Sequence, residues 1–496
     1  IVISFGHKIK SLQYPKKCII FVIMREGKLY QAIIQLSGHE LNRLHRFILS
    51  PFFNRNDSII HLFDWIKNDL KSKSITPISK TELWHLCFGD DEKFDDGRFR
   101  KLQSDLLKLI EDYYAQEAFE ANPIHQAKYL METINTKRLE PLQSSAIKTA
   151  KKLIEQQPYI DSSLYYFQYE IERNIYLLTQ NQTERSAKSN IENIIKNLDR
   201  FYIAEKLRYS SFILTHQHFA AVNYKMLFTD EIIDHVKNND YNDVPSIIIY
   251  YQILLTHKEP ANRHHYEKLK EYLKRFIHKF PETEAKEILD AALNYCIIRM
   301  NAGEEPYVRE AFELYCQSLE NGLLLVQGQI TPWSYKNVVT IGLRLKEFDW
   351  VEKFIHDFST LLDIRYRENA ITFNLAQLYF YKKDYQRVIE QLSKVEYEDF
   401  TYNLNSKTLL MASYYELDEF DALNSLLDTF RLYVQRNKKL TKGKGSHYQN
   451  TIALVRKLMK IKLGDTKQIE KLTSEVESTQ GVVSKNWILE KLAALK

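Results

Sequence analysis

The sequence predicts an all-α fold arranged as a solenoid of antiparallel helix pairs, and three observations lead there. Apolar residues recur with a period of 35: Leu375, Tyr379, Tyr385, Val388, Leu392 and Val395 return as Leu410, Tyr414, Phe420, Leu423, Leu427 and Phe430. A period of this length marks stacked units, because one helix pair cannot bury its apolar face alone. Breakers are scarce, with 13 Gly and 11 Pro in 496 residues, where average usage gives roughly 35 and about 25. Segment after segment then carries apolar residues at i, i+3, i+4 and i+7, the spacing of one helical face.

These segments run near 245–257, 264–279, 283–301, 305–320, 332–346, 348–362, 367–382, 384–396, 400–417 and 419–435. Pro281, Gly303, Pro306 and Asn321-Gly322 lie at their joins, as helix stops require. A basic linker with glycines, 438–445, follows. Helices are expected again near 447–463, 465–477 and 483–495. In the first of these Ile452, Val455, Met459 and Leu463 form one stripe, with Leu454 and Ile461 opposite, so it is expected to be flanked on both sides.

Leu375-Ala376-Gln377-Leu378-Tyr379-Phe380 followed by Lys383-Asp384-Tyr385-Gln386-Arg387-Val388 resembles the tetratricopeptide repeat. Ala376 takes the small position of the first helix. The copy from Leu410 to Phe430 departs at Met411 and Leu423, and Tyr266, Leu269, Leu273, Phe276 and Pro281 match a second helix after a lengthened turn. The unit from Val338 to Phe358 is shortened. The resemblance implies a right-handed α-α superhelix over 241–436, with a concave face that binds a peptide or protein segment. It assigns that groove to Phe373, Gln377, Phe380 and Tyr381, then Asn405, Thr408, Tyr415 and Glu416, with Ala370 and Ala412 between them. Aromatic rings there would anchor an extended or helical peptide and amides would hold its backbone; packing of the rings against the next unit is the other reading.

Residues 24–240 form an N-terminal helical region without a clear period. Ser79-Lys80-Thr81-Glu82 is a capping box that starts a helix through Leu83, Leu86 and Cys87. Phe99, Leu102, Leu106, Leu109, Ile110 and Tyr113 make the next stripe. A winged-helix DNA reader would also need a β-ribbon and a basic recognition face, and neither is visible. The chain begins with Ile and its first Met is Met24, so residues 1–23 are a candidate non-native upstream extension.

Charge is uneven. Residues 436–496 hold 14 Lys and Arg against 5 Asp and Glu, and residues 1–34 hold 6 against 1, so the body between them carries −9 within a total of +5. The segment 437–496 is read as a basic linker with C-terminal capping helices. Its patch of Lys438, Lys439, Lys442, Lys444, Arg456, Lys457 and Lys460 defines the rival expectation, a nucleic-acid-binding or regulatory protein. Cys18, Cys87, Cys296 and Cys316 are far apart, which suggests neither disulfides nor a thiolate metal site. The longest apolar run, Cys18 to Met24, is far short of the ~20 residues of a membrane helix. A cytoplasmic protein without membrane contact is expected.

No catalytic motif survives its geometry. His39 and His45 are six apart, which turns their rings about 120° from each other instead of onto one metal. His216-Gln217-His218 and His264-His265 do not share a face. In Asp90, Asp91, Glu92, Asp95, Asp96 and Gly97, a calcium-loop register puts Phe94 at a ligand position, so a solvated turn before a helix is expected. Lys442-Gly443-Lys444-Gly445-Ser446 lacks the phosphate-loop spacing. No metal or cofactor is expected, and the chain reads as a non-enzymatic protein-interaction scaffold.

Overall fold

A computed structural model describes residues 27–72, 78–179, 189–220, 223–393, 400–436 and 442–496, with side chains omitted at 218–220, 400–401 and 442–444. The expected extension at 1–23 lies outside the described residues. Contacts divide the chain into two compact units, Ile1–Gln157 with Leu164–Leu198, and Pro158–Ser163 with Asp199–Lys496. Among the described residues the fold is all-α apart from one two-stranded hairpin.

The first unit opens with α1 (Lys28–Ile34), α2 (Gly38–Leu49), α3 (Asp57–Lys71), α4 (Lys80–Phe88) and α5 (Asp96–Glu120). They share one core, in which Phe63, Trp84, Phe99, Leu106 and Ile110 are buried. Capping boxes start α2 at Ser37 with Glu40 and α4 at Ser79 with Glu82, each satisfying two backbone donors that a helix start leaves open. Asp95 caps α5 through the Arg98 amide at 3.0 Å and Asp96 pairs with Lys80 at 2.9 Å. The acidic turn is thus used to begin a helix. The helix through Leu83, Leu86 and Cys87 is present as expected, with Leu83 and Cys87 buried and Leu86 exposed. A second core joins α6 (Pro123–Lys137), α7 (Gln143–Glu155) and the part of α8 (Ser162–Thr179) beyond Leu164, around Met131, Ile134, Ala150 and Ile171. Helix α9 (Ile191–Ala220) follows, with the unit boundary at Leu198.

The second unit continues with α10 (Thr229–Asn238), α11 (Pro245–Lys258), α12 (Arg263–Phe276), α13 (Glu282–Asn301) and α14 (Pro306–Glu320). A hairpin of β1 (Leu325–Val326) and β2 (Gln329–Ile330) comes next, turned through Gln327 and Gly328, both at positive φ as a two-residue hairpin turn prefers. Then come α15 (Pro332–Arg344), α16 (Phe348–Phe358), α17 (Ile364–Tyr381), α18 (Tyr385–Leu392), α19 (Phe400–Glu416) and α20 (Phe420–Arg436). The chain ends in α21 (Lys442–Leu458), α22 (Thr466–Ser478) and α23 (Lys485–Ala494).

Four successive pairs, α13–α14, α15–α16, α17–α18 and α19–α20, are closed by the same turn. Its pivot is a left-handed residue, Gly303, Lys346, Lys383 or Asp418, and these stand 43, 37 and 35 residues apart. The amide after each pivot donates five residues back, Glu304 to Arg299, Glu347 to Gly342, Asp384 to Tyr379 and Glu419 to Tyr414, at 2.9–3.1 Å. Each pivot amide donates three back, so both bonds of a Schellman motif recur. Aligned on the pivot, the same positions are buried in every pair. Cys296, Val339, Ala376 and Met411 lie seven before it, Val308, Val351, Val388 and Leu423 five after, and Phe312, Ile355, Leu392 and Leu427 nine after. Among the first helices, α15 packs on α17 and α17 on α19.

Two local expectations need correction. Lys442–Gly445, read as linker, is the first turn of α21, where Gly445 is buried against Val434. Lys438 and Lys439 lie outside the described residues. Leu463 is 79% exposed because α21 ends at Leu458, whereas Ile452, Leu454 and Val455 are buried on two sides as expected.

In α15, a Cβ at Gly342 would sit 2.6 Å from Val351 Cγ2 of α16. Gly342→Ala is therefore expected to weaken this pair by about 1–3 kcal/mol, seen as faster amide exchange over 332–358; unchanged exchange would contradict the close approach. Lys383→Gly, which relieves the left-handed strain, is expected to stabilise the α17–α18 turn by roughly 0.5–1 kcal/mol, while Lys383→Val weakens it. Exchange of the Asp384 amide reads both.

Candidate functional site

The groove residues fall on two successive first helices, α17 and α19, which pack together. Phe373 is fully buried, edge-on to Tyr402 at 5.0 Å, and the Lys336 ammonium lies 5.5 Å from its ring. That same ammonium stands 5.7 Å from Trp333 and 5.9 Å from Tyr402, so three rings surround one lysine. Gln377 is half-buried, and its Oε1 accepts from Thr340 of α15 at 3.5 Å. Phe380 is half-buried and meets Tyr385 edge-on at 5.6 Å, whereas Tyr381 is 42% exposed. On α19, Asn405 and Thr408 are half-buried, and Thr408 donates back to the Leu404 carbonyl.

The far end of this row meets the chain's own last helix. Tyr415 stands edge-on to Trp487 of α23 at 5.4 Å. Glu416 accepts from the Trp487 indole at 2.8 Å and pairs with Lys491 at 2.7 Å. Ala370 and Ala412 are buried. Tyr381 alone on this row is exposed; Gln377, Phe380, Asn405 and Thr408 are half-buried and, unlike Tyr415 and Glu416, do not meet α23 in any hydrogen bond, ion pair or ring contact among the described residues.

The basic residues separate onto different faces. Arg456 pairs with Asp428 of α20 at 2.5 Å, Lys457 with Glu475 of α22 at 2.5 Å, and Lys460 is exposed. Lys442 and Lys444 are in the first turn of α21, their side chains outside the description.

A buried polar cluster in the second unit escaped the sequence reading, since its members come from four separate segments, at 162, 205–208, 250 and 284–287. Arg208 of α9 reaches Glu287 at 2.5 Å, Glu205 at 3.5 Å and Glu284 at 3.6 Å; Tyr250 of α11 donates to Glu284 at 3.0 Å, and Ser162 to Glu205 at 2.6 Å. Three carboxylates thus face one guanidinium. Burial pushes the Glu284 carboxyl up to about 7 against the pull of Arg208 and the Tyr250 hydrogen bond, with Asp161 and Glu205 raising it further. Burial opposes the charge of Arg208, but Tyr250, Glu284 and Glu287 hold its pKa above the usual value. No α-helical periodicity signals such a cluster.

The histidines bridge helices. His45 Nε2 meets Asp64 at 2.9 Å and its Nδ1 meets Lys67 at 3.1 Å, while His39 is exposed. His265 lies between Glu259 at 3.0 Å and Gln252 at 3.3 Å. Among the described residues no group of three or more His, Cys, Asp or Glu is placed to hold a metal, and no helix is long and apolar enough to cross a membrane. Burial pushes the Cys87 and Cys296 thiols up to about 12, well away from nucleophilic thiolates.

Comparison with protein-family models gives no match, and comparison with curated proteins and with solved structures likewise gives none.

Folded Glu284 keeps its proton up to about pH 7, while the unfolded side chain loses it near ~4.3. The group's contribution to stability is therefore present below the unfolded value and is lost as pH rises through 7. The melting temperature should fall between about pH 5.5 and about pH 8 more steeply in the native chain than in Glu284→Gln; equal slopes would show that Glu284 is already ionised.

Proposed function

We propose that the helix pairs of 241–436 form a tetratricopeptide-like right-handed solenoid that serves as a non-enzymatic scaffold and holds a peptide segment of a partner protein. The observation that carries this reading is the one turn geometry repeated at Gly303, Lys346, Lys383 and Asp418, with the first helix α15 packed on α17 and α17 on α19. Such stacking brings residues from successive first helices onto one surface. In this reading Phe380 and Tyr381 are low-entropy aromatic anchors, and Gln377, Asn405 and Thr408 hydrogen-bond the backbone of the bound segment. A cytoplasmic setting fits the free thiols of Cys87, Cys296 and Cys316.

A second reading, nucleic-acid binding by the basic end, rests on the 14 Lys and Arg against 5 acids in 436–496. The engagement of Lys457 by Glu475, and the placing of Lys457 and Arg456 against different helices, weigh against one continuous basic face. It would be favoured by DNA or RNA binding that falls steeply with salt.

The test replaces Phe380, Tyr381 and Asn405 together with Ala and leaves Tyr415, which packs on Trp487. Proteins captured from a native lysate are compared by mass spectrometry between the native chain and this variant. A specific partner should disappear while helical circular dichroism is unchanged; equal capture of every partner would remove this face from consideration.

A further inference from the structure

A small cleft between α20 and α21 is lined from both sides by hydrogen-bond donors. Arg431 and Gln435 stand one turn apart on α20, and Gln449, Ile452, Ala453 and Arg456 occupy one face of α21. The pairing of Asp428 with Arg456 and of Val434 with Gly445 makes the two helices antiparallel. Arg431 and Arg456 therefore meet toward one end of the cleft, and Gln435 and Gln449 toward the other. The cavity is about 220 Å³.

Its charge is not balanced from within. Asp428 takes one terminal nitrogen of Arg456 at 2.5 Å, which leaves the Nε of that guanidinium buried with no hydrogen-bond partner among the described residues. Arg431 makes no ion pair or hydrogen bond among the described residues. Two guanidiniums beside one carboxylate repel each other, and a buried N–H without an acceptor is costly, so the arrangement is relieved by an anion that takes both.

We infer that this cleft binds a phosphoryl group, held by Arg431 and Arg456 with Gln435 and Gln449 completing its shell. Two guanidiniums and two amides lining both walls offer donors from two sides, which suits oxygens arranged tetrahedrally, whereas a planar carboxylate is satisfied by one guanidinium fork. The buried Ile452 and the exposed Ala453 supply the apolar part of the lining, against which the esterified group rests. The cleft is separate from the face of α17 and α19 proposed to hold a peptide and does not depend on it.

The experiment titrates the full chain with inorganic phosphate by calorimetry at constant ionic strength, with chloride and acetate as controls. Saturable one-site binding is expected, weakened about tenfold or more by Arg431→Gln or by Arg456→Gln, as loss of a charge-assisted donor pair requires. Lys485→Gln, at a residue that does not line the cleft, should leave it unchanged. Unaltered melting of Arg431→Gln, whose residue is exposed, keeps a folding defect apart from a binding one. Absence of saturable binding, equal affinity for acetate, or equal weakening by Lys485→Gln would overturn the assignment. A phosphoserine peptide and a sugar phosphate are added as further ligands, and the one that binds more tightly than inorganic phosphate identifies the source of the group.

Discussion

Everything in the second unit from Glu282 to Arg436 hangs on a left-handed residue at the end of each first helix. A helix leaves its last carbonyls without partners, and reversing the chain within two or three residues would strand them. Placing Gly303, Lys346, Lys383 or Asp418 at positive φ turns its own amide and the one after it back onto those carbonyls. The second helix then starts at a set angle, and the residues five and nine positions later fall against the first helix. Three of the four pivots are not glycine, so burial of Val351, Val388 and Leu423 offsets a backbone strain of about 1–2 kcal/mol at each. The turn is stable because the pair packs, and the pair packs because the turn aims it.

This dependence explains how much was legible beforehand. The 35-residue echo joins only the pairs whose pivots are Lys383 and Asp418, because they alone share that spacing. The two earlier pivots are the same device displaced. A hairpin through Gln327 and Gly328 lengthens one interval to 43, and Gly342, where later units carry Tyr379 and Tyr414, hides the pattern in another. Helix positions were readable near 79–113 and from 245 onward, since apolar periodicity and the capping box at Ser79 act locally, whereas the capping box at Ser37 and the helices between Pro123 and Asn238 were not picked out. Boundaries slipped where tertiary contact decides, as at Gly445, which joins a helix because Val434 packs on it.

The candidate sites were less legible for the same reason. Periodicity nominates residues for a face but does not say what else reaches that face. Trp487 and Lys491 are some seventy residues from Tyr415 and Glu416, and only the fold brings them together. The Arg208 cluster gathers side chains from α9, α11 and α13, each unremarked in its own segment. Arg456 was singled out as one cation in a basic run, yet its setting is given by Asp428 and Arg431 on the preceding helix. A charge count sees sign; it does not see which guanidinium already has a partner.

The shared turn is the claim on which the scaffold stands, and residue-resolved amide exchange of the native chain tests it most directly. The amides of Glu304, Glu347, Asp384 and Glu419 carry its long-range bond in the four pairs. The account predicts that all four are protected together, to a degree comparable with the second helices they introduce. Exchange at the rate of an open loop in these four amides, with the helices on either side still protected, would contradict it.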